Sequence, residues 1–177
     1  QIYNNASFLG EAIAHCGIPR EAFFLTSKIW VTHHSYEDTI EAVKTLLTEF
    51  RTSYLDALLI HWPSAHGDAL LWQSRNAGTW RAFEDLYESG VVHAIGVSNF
   101  LPHHLVPLLS RARIAPMINQ LEIHAGYPQA HAVNFCRRAG IVVQSWGPFG
   151  RGQLLDNPFV REIAERHGAT PAQVLIR

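Results

Sequence analysis

Three side chains of the sequence form a set that suits proton transfer at a carbonyl group: Tyr3, Lys28 and His61. A tyrosine has a pKa of ~10 and is a poor acid at neutral pH, but a lysine cation nearby stabilises the tyrosinate and lowers that pKa. The phenol can then donate its proton to an oxygen that becomes negative during the reaction. A neutral histidine can hold the same oxygen by a hydrogen bond. The three residue types therefore suit the reduction of a carbonyl compound.

A second set suits a nicotinamide ring. The side chains of Ser98, Asn99 and Gln120 can hydrogen-bond a carboxamide, and the flat indole of Trp146 can stack on an aromatic ring. Each residue alone also fits a structural role, such as a helix cap, a buried amide or a packed ring. Their position after successive apolar segments favours a shared site.

The elements that would position these residues alternate along the chain. Short apolar, β-branched runs predict buried strands, and amphipathic segments between them predict helices. The predicted strands span residues 23–28, 57–61, 91–98, 117–122 and 141–146. The candidate site residues follow or end these runs, so they belong to the carboxyl ends of the strands.

Five strand-then-helix units in a row predict an α/β fold with parallel strands and right-handed crossovers. A doubly wound sheet and a closed barrel both fit this pattern. The doubly wound fold favours a Gly-x-Gly-x-x-Gly turn after its first strand, which the sequence lacks. Polar residues at several strand ends are typical of a TIM-type (β/α)8 barrel, which needs ~250 residues. We therefore predict one partial barrel catalytic domain over residues 1–177, with strands 3 to 7 intact and both ends truncated.

The amino-acid composition bears on the classes of partner and on the location that we expect for the protein. Fourteen Lys and Arg against 15 Asp and Glu give a net charge of -1, which provides no electrostatic footprint for nucleic acid or an anionic membrane. No apolar run reaches the ~18 residues that span a bilayer. Two cysteines, Cys16 and Cys136, cannot form a disulfide framework, so a reducing cytoplasmic location is expected.

With these residues, the chain resembles the aldo-keto reductase family, in particular its bacterial-type branch. The resemblance covers essentially the whole chain, in order, and rests on the following motifs: Ile2-Tyr3-Asn4-Asn5, Thr26-Ser27-Lys28-Ile29-Trp30, Leu59-Ile60-His61-Trp62-Pro63, Ile95-Gly96-Val97-Ser98-Asn99-Phe100, Asn119-Gln120-Leu121-Glu122 and Ser145-Trp146-Gly147-Pro148-Phe149-Gly150-Arg151-Gly152. Together these motifs are highly specific, and the run 95–100 is the most specific of them, whereas the lysine or the histidine alone would be weak.

The resemblance implies a role for each residue. Tyr3 is the implied proton donor, Lys28 the group that lowers its pKa, and His61 the group that orients the carbonyl. Ser98, Asn99 and Gln120 are implied to hold the nicotinamide carboxamide, with Trp146 stacked on the ring. A loop is implied to cover the pyrophosphate of the cofactor, and two indoles are implied to form the walls of the substrate pocket. The loop consists of Gly147, Pro148, Phe149, Gly150, Arg151 and Gly152, and the indoles are Trp30 and Trp62.

The resemblance also implies NADPH as cofactor, with NADH as the other possibility, and a small aldehyde or ketone as substrate. The family's active-site aspartate and the basic loop that grips the adenosine 2′-phosphate fall outside residues 1–177. We therefore expect these residues alone to be inactive, and the complete protein to be a monomer with no metal ion.

Two other functions fit parts of the sequence. A non-catalytic, nicotinamide-binding or sensing relative would keep the cofactor residues, but it would not need Tyr3, Lys28 and His61. A metal-dependent hydrolase on the same barrel would need clustered ligands. Glu122 and His124, two residues apart on one predicted strand, offer only the start of such a cluster.

Overall fold

Five parallel strands lie side by side in the order in which the chain forms them. The structure is a computed structural model, and it describes residues 5–63 and 71–177. The strands are β1 (Thr26–Ile29), β2 (Ala57–Ile60), β3 (Ile95–Ser98), β4 (Ile118–Glu122) and β5 (Val142–Trp146). A helix connects each strand to its parallel neighbour, which is the repeating unit of a (β/α) barrel. The predicted α/β class and the partial barrel are confirmed.

In the described ranges, seven α-helices accompany the sheet. They are α1 (Ala6–His15), α2 (Tyr36–Phe50), α3 (Trp72–Glu88), α4 (Pro102–Leu109), α5 (Ala130–Arg138), α6 (Pro158–Arg166) and α7 (Pro171–Ile176). The same residues include three short 3₁₀ turns, at Arg20–Ala22, Val31–His33 and Gln153–Asp156. None of the helices in the described part of the chain has both the length and the apolar character to cross a bilayer.

Local sequence signals account for where the helices begin and end. Helix α2 begins after Ser35, whose side chain accepts a hydrogen bond from the backbone N–H of Asp38 at 3.0 Å. Gly90 and Gly140 follow the ends of α3 and α5 with φ angles of 76° and 72°, values that favour glycine. Helix α4 contains Pro107, which cannot donate a backbone hydrogen bond, and the helix ends two residues later.

The main hydrophobic core lies between the sheet and the helices. Ile60 and Val97 are fully buried neighbours in the β2–β3 register and face this core. Because side chains alternate across a strand, residues 28, 59, 96, 98 and 120 lie on the opposite face, which is the interior face of the barrel. The register places Lys28 beside Leu59, Gly96 beside Leu59, and Ser98 beside Gln120. The candidate site therefore belongs to the interior face, away from the helix-covered core.

Three details differ from the expectations drawn from the sequence. Residues 23–25 and 91–94 precede their strands; Leu55 and Val92 form only an isolated bridge there. Strand β5 is not buried on both faces, and Val142 is 64% exposed because β5 is an edge of the described sheet. Helix α1 was not predicted. It packs closely on α2, since a Cβ at Gly10 would lie 2.2 Å from the carbonyl oxygen of Glu49.

Candidate active site

One cavity of about 300 Å³ lies at the carboxyl ends of the strands. Its lining contains nine of the fifteen predicted site residues: Lys28, Trp30, His61, Trp62, Ser98, Asn99, Gln120, Trp146 and Arg151. Tyr3 lies outside the described residues. In the loop 147–152, only Arg151 lines the cavity. The structure thus gathers residues that are up to 123 positions apart in the sequence (Lys28 to Arg151).

Lys28 and His61 are electrostatically coupled at the β1–β2 end of this cavity. His61 is 9% exposed, and burial together with the positive charge of Lys28 lowers its pKa to about 4. Burial also lowers the pKa of Lys28. Within residues 5–63 and 71–177 no carboxylate forms an ion pair with Lys28. The arrangement provides a neutral imidazole beside a lysine cation at neutral pH.

Two indoles flank His61. The ring of Trp30 meets the imidazole edge-on, with ring centroids 4.9 Å apart. Trp62 follows His61 directly and is 40% exposed. A partly exposed indole at the mouth of a cavity offers a flat apolar wall to a ligand. Both residues lie where the sequence predicted a substrate wall, and that role stays a prediction.

Asn99 connects three strand ends. Its backbone is left-handed, with φ of 63°, and its N–H donates to the carbonyl oxygen of Gln120 at 2.9 Å. Its side-chain amide donates to the carbonyl oxygen of His61 at 2.9 Å and to Ser98 Oγ at 3.1 Å. Its Oδ1 accepts from Trp146 Nε1 at 2.9 Å. Asn99 therefore hydrogen-bonds four predicted site residues, in addition to the carboxamide contact that the resemblance implies.

The sequence analysis missed Gln144. Its Oε1 accepts a hydrogen bond from Gln120 Nε2 at 2.8 Å, and the two residues are register neighbours on β4 and β5. Gln144 precedes Trp146 by two residues on β5, so the period-two alternation of a strand could have placed both on the interior face. Ser98 Oγ is likewise engaged, since it donates to the carbonyl oxygen of Gln120 at 2.9 Å.

The loop 147–152 that follows β5 has an unusual backbone. Gly147, Gly150, Arg151 and Gly152 all have positive φ angles, between 54° and 89°. The backbone N–H groups of Gly150 and Gly152 donate within the loop, to the carbonyl oxygens of Gly147 at 2.9 Å and Phe149 at 3.0 Å. These two groups shape the loop, so the predicted cover of a pyrophosphate would depend on the other N–H groups and on Arg151.

The described part of the chain contains no group of three or more His, Cys, Asp or Glu side chains placed to hold a metal ion. Glu122 and His124, the pair considered for a hydrolase, are 3.9 Å apart between Oε1 and Nε2. This contact is an ion pair only when the histidine is protonated. For a metal-dependent hydrolase, the described residues therefore supply two candidate ligands, Glu122 and His124, and no third one beside them.

Sequence comparison relates the chain to one family of known proteins. The sequence profile of the aldo/keto reductase family matches residues 1–177. Glyoxal reductase of Bacillus subtilis is 42% identical over 176 residues, which cover 99% of this chain and 61% of that protein. The 9,11-endoperoxide prostaglandin H2 reductase of Trypanosoma cruzi is 39% identical, with 99% and 60% covered. The chain thus spans about three fifths of the length of these relatives.

Two solved structures superpose closely on this chain. A crystal structure of an aldo/keto reductase from Brucella melitensis superposes with a TM-score of 0.90 at 38% identity, covering 99% of this chain and 65% of that one. A mutant of Gox0644 crystallised in complex with NADPH gives a TM-score of 0.88 at 34% identity, with 99% and 61% covered. The five strands and their helices therefore correspond to part of a barrel in those proteins.

Proposed function

The chain belongs to the aldo/keto reductase family, and we propose that it reduces a small aldehyde or ketone to an alcohol with a nicotinamide cofactor. One observation carries the proposal: a lysine cation and a neutral histidine share a single cavity with amide side chains and an indole at the carboxyl ends of the strands. That position is where barrel enzymes carry out catalysis. A protein that only binds a cofactor needs no such lysine–histidine pair.

The side chains on the β3–β5 side of the cavity fit a nicotinamide. The Asn99 amide is engaged by His61, Ser98 and Trp146. Gln120, whose Nε2 donates one hydrogen to Gln144, can offer its second amide hydrogen and its Oε1 to a carboxamide. The indole of Trp146, anchored through its Nε1, can stack on the ring. Arg151 can pair with a phosphate at the same mouth. We propose NADPH as the cofactor, because a related protein of 34% identity was crystallised in complex with NADPH. When bound, the reduced nicotinamide supplies the hydrogen and two electrons that the carbonyl carbon takes up.

The chain's own residues would bind the carbonyl oxygen, stabilise its negative charge and protonate it. His61, with its pKa lowered to about 4, is neutral over the physiological range, so one ring nitrogen carries a hydrogen and can donate to that oxygen. The positive charge of Lys28 stabilises negative charge that develops nearby. Tyr3, outside the described residues, would donate the proton that completes the alcohol. Lys28 would lower the pKa of the Tyr3 phenol and so make that transfer easier.

The substrate we propose is a small carbonyl compound with a flat or apolar side. Trp30 and Trp62 form one wall of the cavity, and its volume of about 300 Å³ is at the lower end for small-molecule pockets. The relative from Bacillus subtilis is named a glyoxal reductase, which supports testing small dicarbonyl compounds first.

The Tyr3→Phe variant of the complete protein tests the proposal, because it removes the phenolic proton and keeps the ring. We expect carbonyl reduction to fall by about 10²–10⁴-fold, the usual contribution of a general acid, while NADPH affinity stays within a few-fold. Stopped-flow absorbance measures the first quantity and fluorescence titration the second. Tyr127→Phe is the matched control, since Tyr127 is exposed and lies outside the cavity.

The same experiment separates the reductase from a binding-only relative. If the complete, unmodified protein binds NADPH but reduces none of a panel of small aldehydes, ketones and dicarbonyls, the binding function is the correct one. An active Tyr3→Phe variant would instead show that another group delivers the proton.

A further inference from the structure

Gln144 contacts the lining of the cavity at the carboxyl ends of the strands (the strand-end cavity) but is not part of that lining. It precedes Trp146 by two residues on β5 and is the register neighbour of Gln120 on β4. Gln120 and Trp146 both line the cavity, whereas Gln144 does not. Any effect of Gln144 on a bound molecule therefore passes through a neighbouring side chain.

That neighbour is Gln120, whose Nε2 donates a hydrogen bond to Gln144 Oε1 at 2.8 Å. The two ends of a glutamine amide have nearly the same shape but opposite chemistry, since the –NH2 group donates hydrogen bonds and the oxygen accepts them. An acceptor at position 144 holds the nitrogen end of the Gln120 amide towards β5. The oxygen end is then turned away from Gln144.

The Oε1 atom of Gln120 is open to a ligand. It accepts no hydrogen bond from the described residues, and it is not among their buried polar atoms that lack a partner. It is therefore accessible to solvent, on a side chain that lines the cavity. The backbone of Gln120 is held separately, because its carbonyl oxygen accepts from Ser98 Oγ and from the N–H of Asn99, each at 2.9 Å. What Gln144 sets is the orientation of the side-chain amide.

The bond to Gln120 can be removed with little loss of packing. Gln144 is exposed in the described sheet, of which β5 is an edge. Within residues 5–63 and 71–177, the bond to Gln120 is the only hydrogen bond made by the Gln144 side chain. A role of Gln144 in orienting Gln120 can therefore be separated from a role in folding.

We propose that Gln144 is a positioning residue that directs the amide oxygen of Gln120 to the –NH2 group of the nicotinamide carboxamide. The inference rests on the proposed function, since it needs a nicotinamide in the strand-end cavity, and it adds the residue that orients the contact. A site that hydrogen-bonds an N–H group rejects an analogue without that group, because the acceptor is left unpaired. Gln144 therefore determines how well the site distinguishes a carboxamide from another substituent on the ring.

Binding of two dinucleotides to the complete protein tests the proposal. One is NADP⁺, and the other is its 3-acetylpyridine analogue, in which a methyl group replaces the –NH2 of the carboxamide. We expect the unmodified protein to bind NADP⁺ about tenfold more tightly, which corresponds to one hydrogen bond of about 1.4 kcal/mol. Quenching of indole fluorescence measures both dissociation constants without turnover.

Substitutions of Gln144 should change this preference in a defined order. Gln144→Leu should reduce it to about twofold, because the Gln120 amide can then turn its –NH2 group towards the ring. Gln144→Glu should keep it at about tenfold or above, because a carboxylate can only accept and so holds the same end of the Gln120 amide. The added charge acts on both dinucleotides alike, so their ratio still reports the amide. Gln73→Leu is the matched control, since Gln73 is exposed on α3 and does not line the cavity.

Hydrogen exchange at the Gln120 side chain gives a second measurement that needs no cofactor. In the ¹⁵N-labelled complete protein, the amide hydrogen bonded to Gln144 should exchange slowly with solvent. Exchange should stay slow in Gln144→Glu and become about tenfold faster in Gln144→Leu, because only the leucine removes the acceptor. Slow exchange in the Leu variant would mean that Gln144 does not hold the Gln120 amide, and the proposal would be wrong.

The binding ratio can also overturn the proposal. It does so if the preference for NADP⁺ is unchanged in Gln144→Leu, or if it is lost in Gln144→Glu, which would mean that residue 144 donates to Gln120. A complete protein that shows the expected ratios but reduces no carbonyl compound would refute the reductase function and support this inference. If neither dinucleotide binds, both proposals are wrong.

Discussion

The indole N–H of Trp146 donates a hydrogen bond across 2.9 Å to Oδ1 of Asn99, joining the ends of β5 and β3. The amide group of the same asparagine donates to the carbonyl oxygen of His61 at the end of β2. One side chain thus sets the relative positions of the two sides of the cavity: the side that we assign to the carbonyl and the side that we assign to the cofactor. Asn99 is a positioning residue as well as a candidate contact.

We expect Asn99→Gly to release the indole while keeping the left-handed backbone, since glycine adopts a φ of 63° without strain. Loss of the hydrogen bond should speed hydrogen exchange at Trp146 Nε1–H and weaken NADPH binding about three- to tenfold, the equivalent of one hydrogen bond. Exchange of the indole N–H by nuclear magnetic resonance and fluorescence titration measure the two effects.

Asn99→Asp is the matched control for this prediction. It keeps an oxygen that can accept from Trp146 but loses the donor to His61, so indole exchange should stay slow. The positioning role would be wrong if Asn99→Gly left both the exchange rate and the NADPH affinity unchanged.

Gly96, at the centre of β3, permits close packing of the barrel interior. A Cβ at this position would lie 2.5 Å from the carbonyl oxygen of Ile118 and 2.7 Å from Leu59 Cδ2. Gly96→Ala should therefore destabilise the protein by about 1–3 kcal/mol, the usual cost of overpacking. It should also disturb Ser98, two residues along the strand. Urea unfolding measures the loss. Gly17→Ala, where no atom lies within 4 Å and only the φ of 74° opposes a side chain, should cost less.

Much of this architecture could be predicted from the sequence, for a physical reason. Strands buried on both faces appear as continuous apolar runs, and a polar residue that ends such a run, such as His61 after Ile60, marks the rim. Lys28, Ser98, Gln120 and Trp146 were placed at the same edge by this argument, and the structure brings their side chains to one cavity.

Other features could not be predicted, because they depend on contacts between distant segments. Helix α1 leaves Phe8 73% exposed and buries the small residues Ala6 and Gly10 instead, so its hydrophobic pattern does not indicate a buried face. The bridging role of Asn99 depends on a left-handed backbone and on a partner 47 positions later. The period-two spacing from Trp146 could have placed Gln144 on the interior face, but its hydrogen bond to Gln120 depends on the register of β4 and β5, which the sequence does not show.

Two histidines should make the protein less stable in mild acid. The pKa of His61 and that of His104 are each lowered to about 4, mainly by burial. Between pH 6.5 and about 4 the unfolded chain therefore binds protons that the folded chain does not. The free energy of unfolding should fall as the pH falls through this window, by up to about 1.4 kcal/mol per pH unit for each histidine.

Urea unfolding from pH 4 to 7 measures this dependence. His61→Gln removes one titrating group. The free energy of unfolding of this variant should therefore change less steeply with pH than that of the unmodified protein, by the uptake of up to one proton. His131→Gln is a suitable control, because His131 is exposed on α5. Equal slopes for the unmodified protein and the His61→Gln variant would contradict the lowered pKa of His61.

Because the charge of Lys28 acts on His61, a substitution of Lys28 should change the pKa of His61. Burial is the first cause of the lowered pKa of His61, and the positive charge of Lys28 is the second. Lys28→Met removes the charge but not the burial, so the pKa of His61 should rise above about 4 and stay below 6.5. Lys28→Arg keeps a positive charge and should leave the pKa nearly unchanged. Titration of the His61 ring resonances by nuclear magnetic resonance measures the value in each variant. A pKa that is the same in the Met variant and in the unmodified protein would mean that Lys28 does not act on His61. The proposed oxygen site would then have to rely on hydrogen bonding without the lysine charge.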